Sequence, residues 1–324
     1  MTHNQEHSDL LSRRNLLAAS GLAAIGHAVS PRSSAAETML TEFQQQAGHI
    51  DAHVHVWPTV TDQYPLDPAF TAADVVPESF TPEQLLKIAE PDFVRRVLLI
   101  QMSFFGFDNS YMLDCIKKRT KQFRGVAIID HTAADVTEKM TDLRDKGVRG
   151  FRLYANAKNV SEWDGNAGID TMFKTAAKNR QAICLLSDPE VLPAIAGMAT
   201  KYPTTKIVID HFSRIGMRGP VEKQDMDNLC KLNLFRKVFV KTSAFYALGE
   251  KKAPYTDLLP MIKQLRDAFT ANRLMWGSDC PYQLQGGHTY KASLSLIVSQ
   301  ADFLSELEMK AILGRTADEV FFQD

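Results

Sequence analysis

An α/β fold of the (β/α)8 TIM-barrel class is predicted by three features of this 324-residue chain. First, eight short runs of β-branched and bulky apolar residues alternate with longer amphipathic stretches. That rhythm implies parallel strands joined by right-handed crossovers, and runs without a polar face suit strands covered on both sides. Second, the first run ends in His53-Val54-His55. Third, the last is followed by Gly277-Ser278-Asp279. Polar groups at C-terminal strand ends belong to the face where such barrels carry their chemistry.

Strands are expected at 49–56, 94–101, 125–129, 148–153, 182–186, 206–209, 237–241 and 274–276. Helical periodicity marks 109–122, 134–146, 169–180, 190–201, 225–232, 255–271, 291–301 and 306–313. Segment 59–81, broken by Pro65, Pro68 and Pro77, reads as a loop over the barrel mouth, and no helix is assigned between the first two strands. The competing architecture, an open doubly wound sheet, would place a glycine-rich turn where Trp57-Pro58-Thr59 stands.

Composition narrows the partners. Hydrophobic residues make up 45%, charged residues 23%, and the net charge is −1. With no long basic run, neither nucleic acid nor an anionic membrane is expected, and a small molecule is the partner to look for. Residues 1–36 read as a removable leader. Ser12-Arg13-Arg14-Asn15-Leu16-Leu17 resembles a twin-arginine export signal, an apolar stretch follows over 16–29, and Ser34-Ala35-Ala36 offers a cleavage site before Glu37. The apolar stretch is too short for a stable span, so no membrane span remains after its removal. A basic disordered tail is the alternative. The expected mature protein is one barrel over 37–324, exported to the periplasm, with a homo-oligomer left open. Cys115, Cys184, Cys230 and Cys280 show no C-x-x-C pairing, and no disulfide is expected.

Six histidines lie beyond the leader: His49, His53, His55, His131, His211 and His288. In a strand, residues two apart share a face, so His53 and His55 make a pair of nitrogen ligands for a divalent metal. Asp51, one pleat below, is a candidate to hold an imidazole tautomer, with a purely structural role as the alternative. Asp279 can ligate metal, take a proton from water, or both. His211, just past strand six, is either a third ligand or a group that holds the attacked carbonyl. His131 stays open, and His288 in its Gly286-Gly287 loop reads as a surface residue. At the ends of strands four and seven, Arg152, Tyr154, Lys241, Ser243 and Tyr246 offer a grip for a carboxylate and support for an oxyanion. For Arg152 an ion pair across the mouth is the alternative.

Five phrases then match one known family in order: Ile50-Asp51-Ala52-His53-Val54-His55-Val56-Trp57, Gly147-Val148-Arg149-Gly150-Phe151-Arg152, Ile209-Asp210-His211, Val240-Lys241-Thr242-Ser243 and Trp276-Gly277-Ser278-Asp279-Cys280-Pro281. They resemble the amidohydrolase-2 branch of the amidohydrolase superfamily, in its lactonase-like group. The resemblance implies a metallo-dependent-hydrolase barrel that opens a lactone or related ester with activated water. Asp279 and His211 would be catalytic. One divalent ion, Zn2+ by preference, would sit on His53, His55 and Asp279, with His211 as a further ligand. Arg152, Tyr154, Lys241 and Tyr246 would bind an anionic substrate. Some lactonases of the group work without metal, so metal-independent action stays open. The strand-five end, Ile183-Cys184-Leu185-Leu186-Ser187-Asp188, lacks the histidine of metal-rich members, and no strand-four lysine suits a bridging carbamate. A two-metal centre is therefore not expected. A nonoxidative decarboxylase on the same barrel and a non-catalytic periplasmic binding barrel are the alternatives.

Overall fold

The computed structural model describes residues 48–323, so the leader expected over 1–36 lies outside the described residues. Eight parallel strands pair in sequence order: β1 (His49–Val54), β2 (Val94–Ile100), β3 (Phe123–Ala127), β4 (Val148–Ala155), β5 (Ala182–Ser187), β6 (Lys206–Ile209), β7 (Val238–Ser243) and β8 (Leu274–Gly277). The barrel prediction holds. Around it run helices α1 (Pro82–Ala89), α2 (Ser110–Lys118), α3 (Val136–Asp145), α4 (Ala167–Asn179), α5 (Leu192–Lys201), α6 (Lys223–Lys231), α7 (Leu259–Phe269), α8 (Tyr290–Ser295) and α9 (Glu306–Lys310).

Helix α1 supplies the crossover that sequence reading left unassigned. Its start was legible: Thr81 accepts from the Gln84 backbone, Gln84 reaches back, and Pro82 opens the first turn. It buries Leu85, Leu86 and Ala89. The helices expected over 291–301 and 306–313 are shorter in α-geometry, because each continues as a π-helical turn, Leu296–Gln300 and Ala311–Arg315.

Strand parity sets the interior. Ile50, Ala52, Leu98, Ile100, Val126, Ala182, Cys184, Val208, Phe239 and Met275 fill the barrel, while Ala317, Val320 and Phe321 from the C-terminal segment plug its floor. Two residues above Val208, Phe239 and Met275 come Asp210, Lys241 and Gly277, and two above the latter pair come Ser243 and Asp279. Period two therefore carries apolar layers upward into polar ones.

The seam between β1 and β8 closes the barrel by few bonds. The Asp279 amide donates to the His53 carbonyl at 2.8 Å and the His55 amide to the Cys280 carbonyl at 2.8 Å. Opposite Val97 and Leu99 on β2 stand Asp51 and Val54, three steps against two, which is a β-bulge. It breaks the alternation, so His53 does not share the fate of Asp51. The Asp51 carboxylate accepts from the Ser278 amide at 2.8 Å, the His53 amide at 3.2 Å and the Tyr290 hydroxyl at 2.9 Å. Asp51 thus braces the seam and holds no imidazole, which is the structural of its two expected roles. The four cysteines are free thiols. Among the described residues, no helix is long and apolar enough to cross a membrane.

Candidate active site and metal centre

Three imidazoles converge on one carboxylate oxygen. Asp279 Oδ1 lies 3.3 Å from His55 Nε2, 3.6 Å from His53 Nε2 and 3.8 Å from His211 Nε2. His53 comes from β1, His55 from just beyond it, His211 from the turn after β6 and Asp279 from the turn after β8, and all four are buried. Ligand atoms of His53, His211 and Asp279 lie within 4.8 Å of one another, close enough for one metal ion. His55 faces the same oxygen from the cavity side.

Each imidazole is oriented from behind. His55 Nδ1 lies 2.8 Å from the Ile100 carbonyl, which can only accept, so Nδ1 carries a proton and Nε2 is the atom turned to the site. His211 Nδ1 lies 2.7 Å from Ser243 Oγ. His53 Nδ1 faces Asp210 Oδ1 at 3.5 Å and Lys241 Nζ at 3.2 Å. Burial drives His53 well below the ordinary imidazole range, helped by the Lys241 ammonium, and lowers His211 to about 4. Both rings are neutral near pH 7. Against the effect of burial, His211, His55 and His53 hold Asp279 well below the usual carboxylate range. Tyr246 donates to Asp279 Oδ2 at 2.8 Å and is itself held as a phenol by burial and by that carboxylate.

The donor set fits a divalent cation. Lone pairs and an ionised carboxylate face one point, and His53 Nε2 is buried with no hydrogen-bond partner. Such an atom is costly unless something electropositive meets it. Neutral imidazole nitrogens with one carboxylate oxygen suit zinc.

Asp210 was the omission of sequence reading. It is fully buried, 3.0 Å from Lys241 Nζ and 3.8 Å from the Arg152 guanidinium. Lys241 holds it well below the carboxylate range against the cost of burial. Its inward parity with Val208 was a usable signal. Lys241 itself needs correcting. It was expected to meet substrate at the end of its strand, but β7 runs on to Ser243, which leaves Lys241 fully buried a layer below. Its Nζ is 5.7 Å from the Phe321 ring of the floor plug, and it orients Asp210 and His53.

The remaining expected residues surround a cavity of about 300 Å³ lined by His55, Arg152, Tyr154, His211, Tyr246 and Asp279, with Met102, Ser103, Leu186, Arg214, Met217, Leu248 and Tyr282 among the others. The turn that carries His211 is left-handed for four successive residues, His211, Phe212, Ser213 and Arg214, with φ of 51°, 52°, 56° and 56°. That backbone costs about 1–2 kcal/mol per residue. It is held by Ser213 Oγ on Ser187 Oγ at 2.7 Å, by Arg214 on Asp188 at 2.6 Å, and by buried Phe212. One turn thereby delivers both His211 and Arg214 to the cavity, and Arg214 had no sequence signal. Strain retained at such a place fits a site that must be pre-organised. His131 and His288 stand outside this cluster; His288 Nδ1 is 2.7 Å from the Tyr255 hydroxyl.

The profile of a family described as Amidohydrolase matches residues 50–323. An L-fucono-1,5-lactonase of Burkholderia ambifaria is 26% identical over 74% of this chain and 82% of its own length. A 4-sulfomuconolactone hydrolase of Rhizobium radiobacter is 26% identical over 74% of this chain and 78% of its own. Among solved structures, an amidohydrolase from Burkholderia multivorans with bound zinc superposes with a TM-score of 0.73 at 20% identity, covering 86% of this chain and 100% of that one.

Proposed function

The chain belongs to the amidohydrolase family, and on that premise we propose that it hydrolyses a lactone carrying an anionic group, with Asp279 as general base. The observation that carries this reading is the convergence of His53, His55 and His211 on Asp279 Oδ1 at the wall of the cavity. Lactone hydrolysis by the two curated relatives supports the reaction class.

His53, His211 and Asp279 would hold one divalent ion, zinc by donor type, with His55 beside it. When bound, that ion supplies Lewis-acid polarisation of the lactone carbonyl and lowers the pKa of water. The chain does the rest. Tyr246 occupies Asp279 Oδ2, which fixes the carboxylate plane and leaves Oδ1 turned to the site. Asp279 takes a proton from water as its oxygen adds to the carbonyl carbon. When the ring C–O bond breaks, Asp279 returns that proton to the leaving oxygen, and the product is an open-chain hydroxy acid or its keto tautomer. Neutral His211, braced by Ser243, and His53, braced by Asp210 and Lys241, keep fixed positions while charge develops. Arg152 receives the anionic group of the substrate.

The test is turnover of a lactone panel, followed by proton release, before and after chelation. Hydrolysis should fall by about 10³-fold in Asp279→Asn. It should also fall on metal removal and return with zinc. An Asp279→Asn variant within tenfold of the parent would remove the general base from the scheme.

A further inference from the structure

Of the two guanidiniums that line the cavity, Arg214 is closely paired and Arg152 is not. Asp188 lies 2.6 Å from Arg214 and 3.4 Å from the well-exposed Arg218. Asp210 lies 3.0 Å from Lys241, both fully buried. Asp279 is enclosed by the three imidazoles and the Tyr246 hydroxyl. Arg152 is left over. It reaches Asp210, already claimed by Lys241, only at 3.8 Å, and its Nε is buried without a hydrogen-bond partner although the residue lines the cavity. A guanidinium 5% exposed and short of acceptors is a built receptor for one planar anion.

The rest of the wall is poor in groups for hydroxyls. Met102, Leu186, Met217 and Leu248 contribute carbon and sulfur. The Tyr282 hydroxyl points to Met102 Sδ at 3.9 Å, the Tyr246 hydroxyl is committed to Asp279, and Tyr154 stands 38% exposed at the rim. Among the described lining residues that leaves Ser103 as the uncommitted aliphatic hydroxyl. A ring hydroxyl buried here without a partner loses about tenfold or more in affinity. The volume of about 300 Å³ suits a single ring, at the small end of ligand cavities.

We infer that the substrate is a monocyclic lactone bearing one carboxylate, seated on Arg152, and few or no ring hydroxyls. This rests on the lactone reading above and narrows it against sugar lactones and dicarboxylates. The experiment compares kcat/KM of the metal-loaded enzyme for four probes: 2-pyrone-5-carboxylate, uncharged 2-pyrone, 2-pyrone-4,6-dicarboxylate and L-fucono-1,5-lactone. The monocarboxylate should lead each of the others by about tenfold to 100-fold, the span expected of one charge-assisted hydrogen-bonded pair. In R152Q its lead over uncharged 2-pyrone should shrink by at least about tenfold, with R152K intermediate. A sugar lactone or the dicarboxylate in first place overturns the inference while leaving lactone hydrolysis standing. Equal losses for charged and uncharged pyrone in R152Q also overturn it. If R152Q does not fold, the wild-type ranking alone decides. No turnover of any of the four, with zinc bound, removes the lactone reading and this inference with it.

Discussion

Gly277 is the position at which an addition of a single carbon tests whether the β1–β8 seam sets the chemistry. A Cβ built there would stand 2.8 Å from His53 Cβ and 2.9 Å from the His53 backbone nitrogen. Carbon atoms in contact prefer about 3.5–4.0 Å, so the strands must part by some tenths of an ångström to nearly one. No side chain can swing away, because the obstacle is the start of His53 and its backbone. Overpacking of this kind costs about 1–3 kcal/mol, or a Tm fall of about 2–5 °C for a domain this large. The opposing effect is the loss of unfolded-state freedom on replacing glycine, about 0.4–1 kcal/mol in favour of alanine. The sign therefore decides. In Gly277→Ala the shift also moves His53 away from Asp279, and misplacement approaching 1 Å costs about 10²-fold in rate. Thermal unfolding and kcat/KM on the same preparation measure both effects. A variant with raised Tm and parental kcat/KM would show that the seam has room to spare and that its spacing does not govern the site.

Two further perturbations follow from the buried charges. In Lys241→Met, Asp210 loses its close counter-ion at 3.0 Å in a fully buried setting, and denaturant unfolding should show a loss of about 3 kcal/mol or more. Adding Asp210→Asn should recover part of it, and equal stability of Lys241→Met and the parent would contradict the pairing. In metal-free protein His211 has a folded pKa of about 4, lowered from 6.5 by burial. Its unfolded form binds a proton first, so its contribution is whole above pH 6.5 and lost as pH falls towards 4, about 3 kcal/mol in all. Urea titrations across that range should fall more steeply for the parent than for His211→Asn; matching slopes would count against a neutral, buried ring.

Much of the site was legible because strand parity is local. The spacing of His53 and His55, and the carboxylate after Gly277-Ser278, can be read without a fold. Asp210 was readable too, being two residues beyond inward-facing Val208 and next to His211. Arg214 was not readable. Its entry into the cavity depends on four left-handed residues, none of them glycine, a conformation that tertiary contacts impose against local preference. The β1 bulge was equally silent, and it separates the expected partners Asp51 and His53.

Sequence alone therefore determined the number and order of the strands, the helical crossovers apart from α1, and the identity of the groups that crown strands one, six and eight. These follow from periodicity and propensity, which act over a few residues. Only the tertiary structure decided depth: that Lys241 lies beneath the cavity, that Asp51 braces a seam, and that Arg152, unlike Arg214, lines the cavity without a close counter-ion. Depth in a barrel depends on how far each strand is staggered against its neighbours and on which charges meet across the lumen. Those are relations between segments remote in the chain, and no local pattern encodes them.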